Sequence, residues 1–349
     1  MRAQILTRRK LLGGLATVGA GLTVSLPASR AEVVADTHTI DIDAQPIASF
    51  ARGETNRRRF GELEFRGGLL LTCSSPHFGG LSGIVTDTAG RKFLMLSDRG
   101  AWLSAELSYD GERPARFSSA RLGPLETLGG RALQNKREQD AESLALLDGT
   151  LDRGTVAVGF ERMHRIAKYP VRNGVLERPS GYVKLPPEAR GMPKNQGLEA
   201  VTVLQAGPLR GSMVAFAERF TRGSSHHTGW IWVRGEPQAM HLEDVDGFNV
   251  TDAAGLPDGG LLVLERYFRW TSGVKMRIRR LAPEEVRPGA RVRGRTLIEV
   301  GSDHDIDNME GICVHRGARG DTVVSLISDD NFNHFLQRTV FLQFTLSSE

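Results

Sequence analysis

Cysteines and long apolar runs are scarce in this chain. Only two cysteines, Cys73 and Cys313, occur among 349 residues, and no Cys-x-x-Cys or Cys/His spacing indicates a zinc site. The two thiols could pair in an oxidising compartment, but a domain of this size does not need a disulfide, so the sequence leaves their pairing open. After the first 31 residues, no apolar run approaches the roughly 20 residues of a transmembrane helix. We therefore expect no membrane span in the mature chain.

Runs of like charge are also missing. The formal net charge is only +4, and the longest basic run in the mature part is Arg57-Arg58-Arg59. A nucleic-acid-binding surface needs a clustered basic face, so we expect no nucleic-acid partner. The hydrophobic share of 40% and charged share of 25% are ordinary for a globular protein and argue against global disorder.

Amphipathic helical patterns are absent from the mature chain, and its 40 glycines and 15 prolines leave little room for long helices. Short apolar runs are instead separated by turn signals such as Asp110-Gly111, Asn173-Gly174 and Asp258-Gly259, which is the pattern of β-strands and hairpins. The sequence therefore predicts an all-β fold.

Residues 1–31 have the features of a targeting segment. Arg8-Arg9 is followed by the moderately apolar stretch 11–26, and Ser29-Arg30-Ala31 predicts cleavage after Ala31. Paired arginines of this kind address a chain to the twin-arginine translocation machinery, which exports folded proteins. An ordinary secretory signal and an uncleaved anchor are the alternatives. We expect a periplasmic mature chain, residues 32–349, that forms a single domain.

Short apolar strands recur along the mature chain, each beginning with a small residue or an acid. Recurrence at a fixed period is the signature of a repeat architecture. The positions taken as equivalent, separated by 60, 57, 53 and 58 residues, are Ser82, Glu142, Glu199, Asp252 and Glu310.

A second strand follows each of these strands and ends in an acid. The terminal acids are Asp98, Glu161, Glu218, Glu265 and Asp329. In three units the first and second acids are 19 residues apart. Four short strands in each unit of about 50–60 residues is the pattern of β-propeller blades with long loops.

The repeat predicts a β-propeller of five or six blades. Only about three strands fit after Glu310, and the strand-like runs 37–42 and 63–72 precede the first unit. Pairing of the N- and C-terminal strands in one blade would close the ring and remove open sheet edges. A sixth, partial blade formed by residues 37–75 is the alternative, which the sequence leaves open. A two-sheet sandwich, the main alternative, gives no reason for five equivalent hairpins.

The repeated acids are expected to surround one mouth of the central channel, since the first strand starts, and the second ends, at the same end of each hairpin. Asp252 and Glu265 are expected there as well. Oxygen-only ligands favour hard cations such as Ca²⁺. The predicted metal ligands are Glu142, Glu199, Glu218, Glu310 and Asp329. The predicted catalytic residues are Asp98, Arg99, Glu161, Arg219 and His226.

Two other interpretations of these residues remain open. Acids at hairpin ends often cap backbone N–H groups or pair with an adjacent arginine, and here Arg99, Arg162, Arg219 and Arg266 each follow an acid. His226 lies in a Gly/Ser-rich region and is a candidate general acid or simply a solvated loop residue.

The acidic stretch 303–308 lacks the glycine of an EF-hand loop and is expected at the rim of the same mouth. No Gly-x-Ser-x-Gly elbow supports a serine hydrolase.

The chain resembles the phytase-like esterase domain family over about residues 75–335. The motifs that carry the resemblance are Gly79-Gly80-Leu81-Ser82-Gly83, Ser97-Asp98-Arg99-Gly100, Asp140-Ala141-Glu142-Ser143, Asn195-Gln196-Gly197-Leu198-Glu199, Asp307-Asn308-Met309-Glu310-Gly311 and Ser328-Asp329-Asp330-Asn331-Phe332. The resemblance implies a propeller-like fold and hydrolysis of a small-molecule ester or phosphoester. A non-catalytic binding propeller, with structural acids or one structural metal, is the alternative function.

Overall fold

The computed structural model describes residues 33–192, 197–218, 225–270 and 273–347. The leader, Asn195-Gln196 and Arg219 lie outside the described residues. Within them, no helix is long and apolar enough to cross a membrane.

Nearly all regular structure is β-strand. The strands in chain order are β1 His38–Thr39, β2 Asp43–Ile47, β3 Arg59–Phe60, β4 Leu63–Thr72, β5 Leu81–Thr86, β6 Lys92–Ser97, β7 Ala101–Asp110, β8 Arg113–Pro124, β9 Ala141–Gly149, β10 Arg153–Phe160, β11 Arg165–Arg172, β12 Val175–Leu176, β13 Gly181–Tyr182, β14 Leu198–Val203, β15 Met213–Ala217, β16 His226–Val233, β17 Glu236–Glu243, β18 Asn249–Gly255, β19 Leu261–Arg269, β20 Gly273–Leu281, β21 Arg291–Val292, β22 Arg295–Val300, β23 Asn308–Arg316, β24 Thr322–Asp329 and β25 Thr339–Leu346. One helical turn, α1 Lys136–Gln139, and one 3₁₀ turn, Pro187–Gly191, interrupt them.

The strands form five antiparallel sheets, which are the blades of a five-bladed β-propeller. From the channel outward, blade one is β5-β6-β7-β8-β1, blade two β9-β10-β11-β12, blade three β14-β15-β16-β17-β21, blade four β18-β19-β20-β22, and blade five β23-β24-β25-β4-β2. The inner strands β5, β9, β14, β18 and β23 contact one another in a closed ring. The predicted propeller is confirmed, with five blades.

The ring is closed by pairing of the chain ends. In blade five, β25 pairs with β4 from Thr339↔Leu71 to Leu346↔Leu63, and β2 adds an outer strand. Residues 43–72 therefore belong to blade five and do not form a sixth. Both edges of β4 are thereby hydrogen-bonded. This agrees with the prediction that pairing of the chain ends removes open sheet edges.

The core is divided among the blade interfaces. Five clusters of buried apolar residues occur, and each joins strands of two neighbouring blades. For example, Leu96 of blade one packs in one cluster with Val158 of blade two. Each fully buried side chain of this size contributes roughly 1.5–3 kcal/mol through the hydrophobic effect. Cys73 and Cys313 are both free thiols, so packing holds the blades together without a disulfide.

Candidate functional site at the channel mouth

A β-bulge marks the same position in all five inner strands. In each pairing of a first strand with a second strand, the register shifts around the second or third residue of the inner strand. A bulge re-aims the extra side chain, so five side chains are displaced at one end of the channel. The bulged residues, all buried, are Ser82, Glu142, Glu199, Thr251 and Glu310.

The bulge corrects the equivalence inferred for blade four. Thr251, rather than Asp252, occupies the bulged position. Asp252 accepts hydrogen bonds from the N–H of Ala253 at 2.8 Å and of Ile312 at 2.9 Å. Burial raises the pKa of the Asp252 carboxyl well above its ordinary value, although these two donors oppose the shift. The expectation that Asp252 belongs to the ring of acids was wrong; its side chain links the inner strands of blades four and five.

A second set of five positions lies on the second strands or directly after them, opposite the residue at which each inner strand begins or the one before it. The residues there are Asp98, Glu161, Glu218, Arg266 and Asp329. Blade four again differs from the expectation, because Glu265 is one residue too early. The Glu265 carboxylate is fully buried and accepts from Nε of Arg277 and Nε of Arg279, each at 2.8 Å. Glu265 therefore neutralises two core arginines, and Arg266 brings a positive charge to the mouth.

Among the described residues, two groups of three carboxylates converge at the mouth. One contains Asp140, Glu142 and Glu161, and the other contains Glu161, Glu199 and Glu218. Within each group, ligand oxygens lie within 4.8 Å of one another. Glu161 is shared, so the two groups form a continuous acidic strip from blade two to blade three. The sequence interpretation included four of these residues but missed Asp140.

Two cations already compensate the first group. Nζ of Lys136 lies 2.5 Å from Oδ1 of Asp140, and Nε of Arg162 donates to the other carboxylate oxygen of Asp140. Burial alone would lower the pKa of Lys136, but the charges of Asp98, Glu142 and Asp140 outweigh it and raise the pKa above its usual value. Lys136 therefore stays protonated, and its ammonium group occupies the acidic strip as an internal cation.

Lys136 was not identified from the sequence as a site residue. It starts the helical turn α1, which is capped by the Asn135 side chain accepting from the N–H of Glu138. The turn places Lys136 one helical turn before Asp140. The i,i+4 spacing of Lys136 and Asp140 could have predicted their ion pair from the sequence. The pair lies in a loop between blades, however, and is not part of the repeat from which the site was predicted.

The opposite side of the mouth has its own charge compensation. Nη1 of Arg266 donates to Oδ1 of Asn308, and its Nε lies 3.7 Å from Oε1 of Glu310. The Asn308 amide in turn reaches Oδ2 of Asp329 at 3.4 Å. The sequence predicted that Glu310 and Asp329 bind one metal together with the other acids. In the structure they lie with Arg266 and Asn308 and belong to neither carboxylate group.

Asp98 and Arg99 lie where blades five and one meet. Oδ2 of Asp98 accepts from Nζ of Lys136 at 2.5 Å. The guanidinium carbon of Arg99 is 3.3 Å from the centre of the Phe332 ring in the following loop of blade five. Burial lowers the pKa of Arg99, while Asp98 and Asp330 oppose that shift. An arginine stacked on a ring in this way is held in place.

The two adjacent histidines of blade three have different environments. The His226 ring is 4.5 Å, centre to centre, from the ring of His241 on the neighbouring strand. His227 is buried, and its Nδ1 lies 2.7 Å from the carbonyl oxygen of Glu218. Burial lowers the pKa of His227. The structure thus brings His227, which the sequence did not single out, into contact with the backbone of a mouth residue.

The acidic stretch before β23 is tied to an arginine. Nη1 of Arg338 lies 3.4 Å from Oδ1 of Asp305, and the N–H of Arg338 donates to Oδ2 of Asp307 at 3.1 Å. Burial raises the pKa of Asp307. These contacts give the stretch a structural role in joining two loops of blade five.

The fold and the mouth define a hydrolase-like β-propeller with buried acidic clusters at one end of its channel. The chain belongs to the phytase-like family described as esterase-like activity of phytase, whose family model matches residues 76–332. No curated protein matches the chain.

Solved structures resemble the chain at low identity and low TM-scores. A hypothetical protein from Leishmania major is 11% identical, with 79% of this chain and 87% of that chain covered at a TM-score of 0.41. A protein of unknown function from Dyadobacter fermentans is 12% identical, with 91% and 96% covered at 0.40. An endo-arabinase from Bacteroides thetaiotaomicron is 11% identical, with 78% and 96% covered at 0.48. TM-scores this low support no inference about function.

Proposed function

We propose that this protein is an exported, metal-assisted hydrolase that cleaves a phosphoester or carboxylester of a small molecule at the channel mouth. The observation that carries the proposal is the convergence of Glu161, Glu199 and Glu218 in a member of a phytase-like family. Carboxylates so close together repel one another unless a cation compensates them, and a bound metal ion is one such cation.

The second carboxylate group fits Ca²⁺. The ion binds oxygens at 2.3–2.6 Å, so two oxygens on one ion are at most about 5 Å apart, and the separation within 4.8 Å meets that limit. Glu161, Glu199 and Glu218 would hold the ion. When bound, Ca²⁺ would polarise the ester oxygen and help to activate water.

The protein side chains supply the remaining functions. Arg99, stacked on Phe332, is placed to hold the anionic part of a substrate through its N–H groups. Glu161, shared by both carboxylate groups, is the proposed acceptor of the proton from the attacking water. Asp98 positions Lys136. Arg219 would add a second anion contact, and His226, whose ring packs against His241, is the proposed general acid.

The test is hydrolysis of phosphomonoester and carboxylester substrates with Ca²⁺ and with a chelator. We expect Ca²⁺-dependent turnover that falls by at least about 100-fold in Glu161→Gln, the loss typical of removing an acid–base group. Glu236→Gln is the matched control, since Glu236 pairs with Lys184 on the exposed surface of blade three. Absence of turnover on both substrate classes, with Ca²⁺ only raising the melting temperature, would overturn the hydrolase proposal.

A second function is favoured by the ion pairs at the mouth. Arg266 with Glu310, and Lys136 with Asp140, neutralise acids without any metal. A binding propeller that uses the mouth for recognition needs no more than this. It predicts ligand binding that a chelator leaves unchanged, and the same assay separates the two functions.

Export through the twin-arginine pathway is proposed from Arg8-Arg9 and the apolar stretch that follows. We expect a full chain expressed in a bacterium to reach the periplasm with residues 1–31 removed. Replacing both arginines by lysine should leave the unprocessed chain in the cytoplasm. Continued export of that variant would indicate an ordinary secretory signal.

A further inference from the structure

Large apolar side chains are exposed mainly on one face of the propeller. Seven such residues are exposed among those described, and six of them lie at the end of the blades where the acids converge. These six are Leu128, Met163, Phe268, Trp270, Phe335 and Leu336. The most exposed are Phe335 at 94%, Leu336 at 71% and Trp270 at 67%. The seventh, Tyr182, lies on the outer edge of blade two, where it pairs with Ala167.

The strand order explains why these residues share a face. Every second strand ends at the mouth, so the turn into the third strand lies there as well. Met163 is in that turn of blade two, and Phe335-Leu336 is in that turn of blade five. In blade four, Phe268 lies near the end of β19 and Trp270 directly follows that strand. Neighbouring strands are about 4.8 Å apart, which puts these turns beside the mouth instead of at the outer circumference. We call these five residues the apolar rim.

The opposite face has a different composition. Its turns join first to second strands and third to fourth strands, for example Asp110-Gly111 and Asn173-Gly174. None of the large apolar residues exposed in the described part of the chain lies in those turns. Exposed apolar groups that collect at one place mark a binding surface. The asymmetry therefore associates apolar recognition with the same end as the carboxylates.

We propose that the substrate is amphiphilic, with an apolar alkyl or aryl body that packs on the apolar rim and an anionic ester head that reaches Arg99 and the carboxylate groups. This inference rests on the proposed hydrolase function and specifies its substrate class. Trp270 and Phe268 form an edge-to-face pair, with ring centres 5.8 Å apart, which offers a broad apolar contact. A purely polar, highly charged ester would leave the rim without a partner.

The charges on the same face favour a soluble amphiphile as the occupant. The exposed acids Asp246 and Asp303 lie in the loops that lead into β18 and β23 at the mouth. They would repel an anionic membrane surface, and they alternate around the mouth with the apolar turns. A small molecule can lie between these charges with its body on one or two turns. A bilayer or a second copy of the chain would have to cover all of them.

The test measures binding separately from catalysis. Alkylphosphonates have a carbon–phosphorus bond that ester hydrolysis does not cleave, so methylphosphonate and octylphosphonate serve as probes with the full chain and Ca²⁺. Each methylene that becomes covered raises affinity about fourfold. We expect octylphosphonate, below its micelle concentration, to bind at least about 15-fold more tightly than methylphosphonate, as covering two or more methylenes predicts.

Trp270 provides a direct signal. The other three tryptophans, Trp102, Trp230 and Trp232, are buried, so a blue shift of the emission on adding octylphosphonate would report contact at the rim. The double variant Trp270→Ser with Phe335→Ser should lose most of the chain-length preference in calorimetry. The matched control is Tyr182→Ser, which removes an exposed aromatic residue on the outer edge of blade two and should retain the preference.

Each outcome has a separate meaning. Equal affinity for the two phosphonates would overturn the amphiphile inference, even if short esters are hydrolysed. A chain-length preference without turnover of any ester would support the rim and contradict the hydrolase function. Two further outcomes would overturn the inference. If the protein sediments with phosphatidylcholine vesicles and shows no preference between the soluble probes, the occupant is a membrane. If the protein is a dimer that dissociates in Trp270→Ser, the occupant is a second copy.

Discussion

Nζ of Lys136 lies 2.5 Å from Oδ2 of Asp98, and this contact connects the segment before blade two to the end of a strand in blade one. The same ammonium group contacts Asp140 at 2.5 Å. One lysine therefore links two blades and neutralises part of the acidic mouth. The charge of Lys136 decides how much of the acidic strip needs a bound metal.

Removing this ammonium should create a second cation site. In Lys136→Met, we expect calorimetry to find two Ca²⁺ ions per chain where the wild type binds one, because the first carboxylate group loses its internal cation. Without Ca²⁺, the free energy of unfolding should fall by about 1–3 kcal/mol, the range for leaving a partly buried charge without its partner. Lys92→Met breaks an exposed pair with Asp152 and should cost less than about 1 kcal/mol. An unchanged stoichiometry would contradict this role of Lys136.

Calcium should stabilise the folded protein through Glu161. A ligand at 100 times its dissociation constant stabilises the native state by about 2.7 kcal/mol. We expect the melting temperature to rise with Ca²⁺ and to return to its starting value with a chelator. Glu161→Gln should remove most of the rise because both carboxylate groups share this residue. A wild-type melting temperature insensitive to millimolar Ca²⁺ would exclude a metal at this position.

The buried carboxylate of Glu265 should be essential for stability. Glu265→Gln would leave Arg277 and Arg279 in the core without their counter-ion. Breaking a buried ion pair in this way costs about 3–5 kcal/mol, which urea unfolding would measure. Glu243→Gln, which breaks an exposed pair with Arg293, is the control and should cost less than about 1 kcal/mol. A loss of similar size in both variants would show that burial does not determine the effect.

His315 should make stability depend on acidity. Burial, aided by Arg66, lowers the pKa of His315 from 6.5 to about 4 in the folded state. Because the unfolded chain binds the proton more tightly, the contribution is complete above pH 6.5 and is lost as the pH falls towards 4. Urea unfolding at pH 7.5 and about pH 4.5 should show His315→Gln losing about 2–3 kcal/mol less than the wild type. Parallel losses in the two proteins would contradict the shift.

The repeat pattern predicted most of the fold. Five first strands, each followed by a strand ending near a charged residue, correspond to five blades, and the N-terminal strands β2 and β4 complete the last blade. The first N-terminal strand, β1, pairs with β8 in blade one instead. The error was a shift of one residue in blade four, where Asp252 and Glu265 were matched in place of Thr251 and Arg266. Both errors arose because acids were aligned with acids. A bulge shifts the pairing register, and the spacing of residues in the sequence does not reveal it.

The site was predicted less completely than the fold. Glu142, Glu161, Glu199 and Glu218 were expected at the mouth, and the structure brings them together. Lys136 and Asp140 lie outside the repeated hairpins, so no periodicity pointed to them. The pairing of Arg266 with Glu310 was equally hard to predict, because the two residues lie in different blades and are 44 positions apart in the sequence.

The sequence by itself determined that this chain repeats a hairpin five times and that each hairpin brings polar residues to one end. That information is local, since antiparallel strands joined by a short turn bring residues of fixed spacing together. Only the tertiary structure decided which acids share a cation and which are already neutralised. Charge interactions depend on distances of a few ångströms, and blade-to-blade packing sets those distances between residues that no local pattern relates.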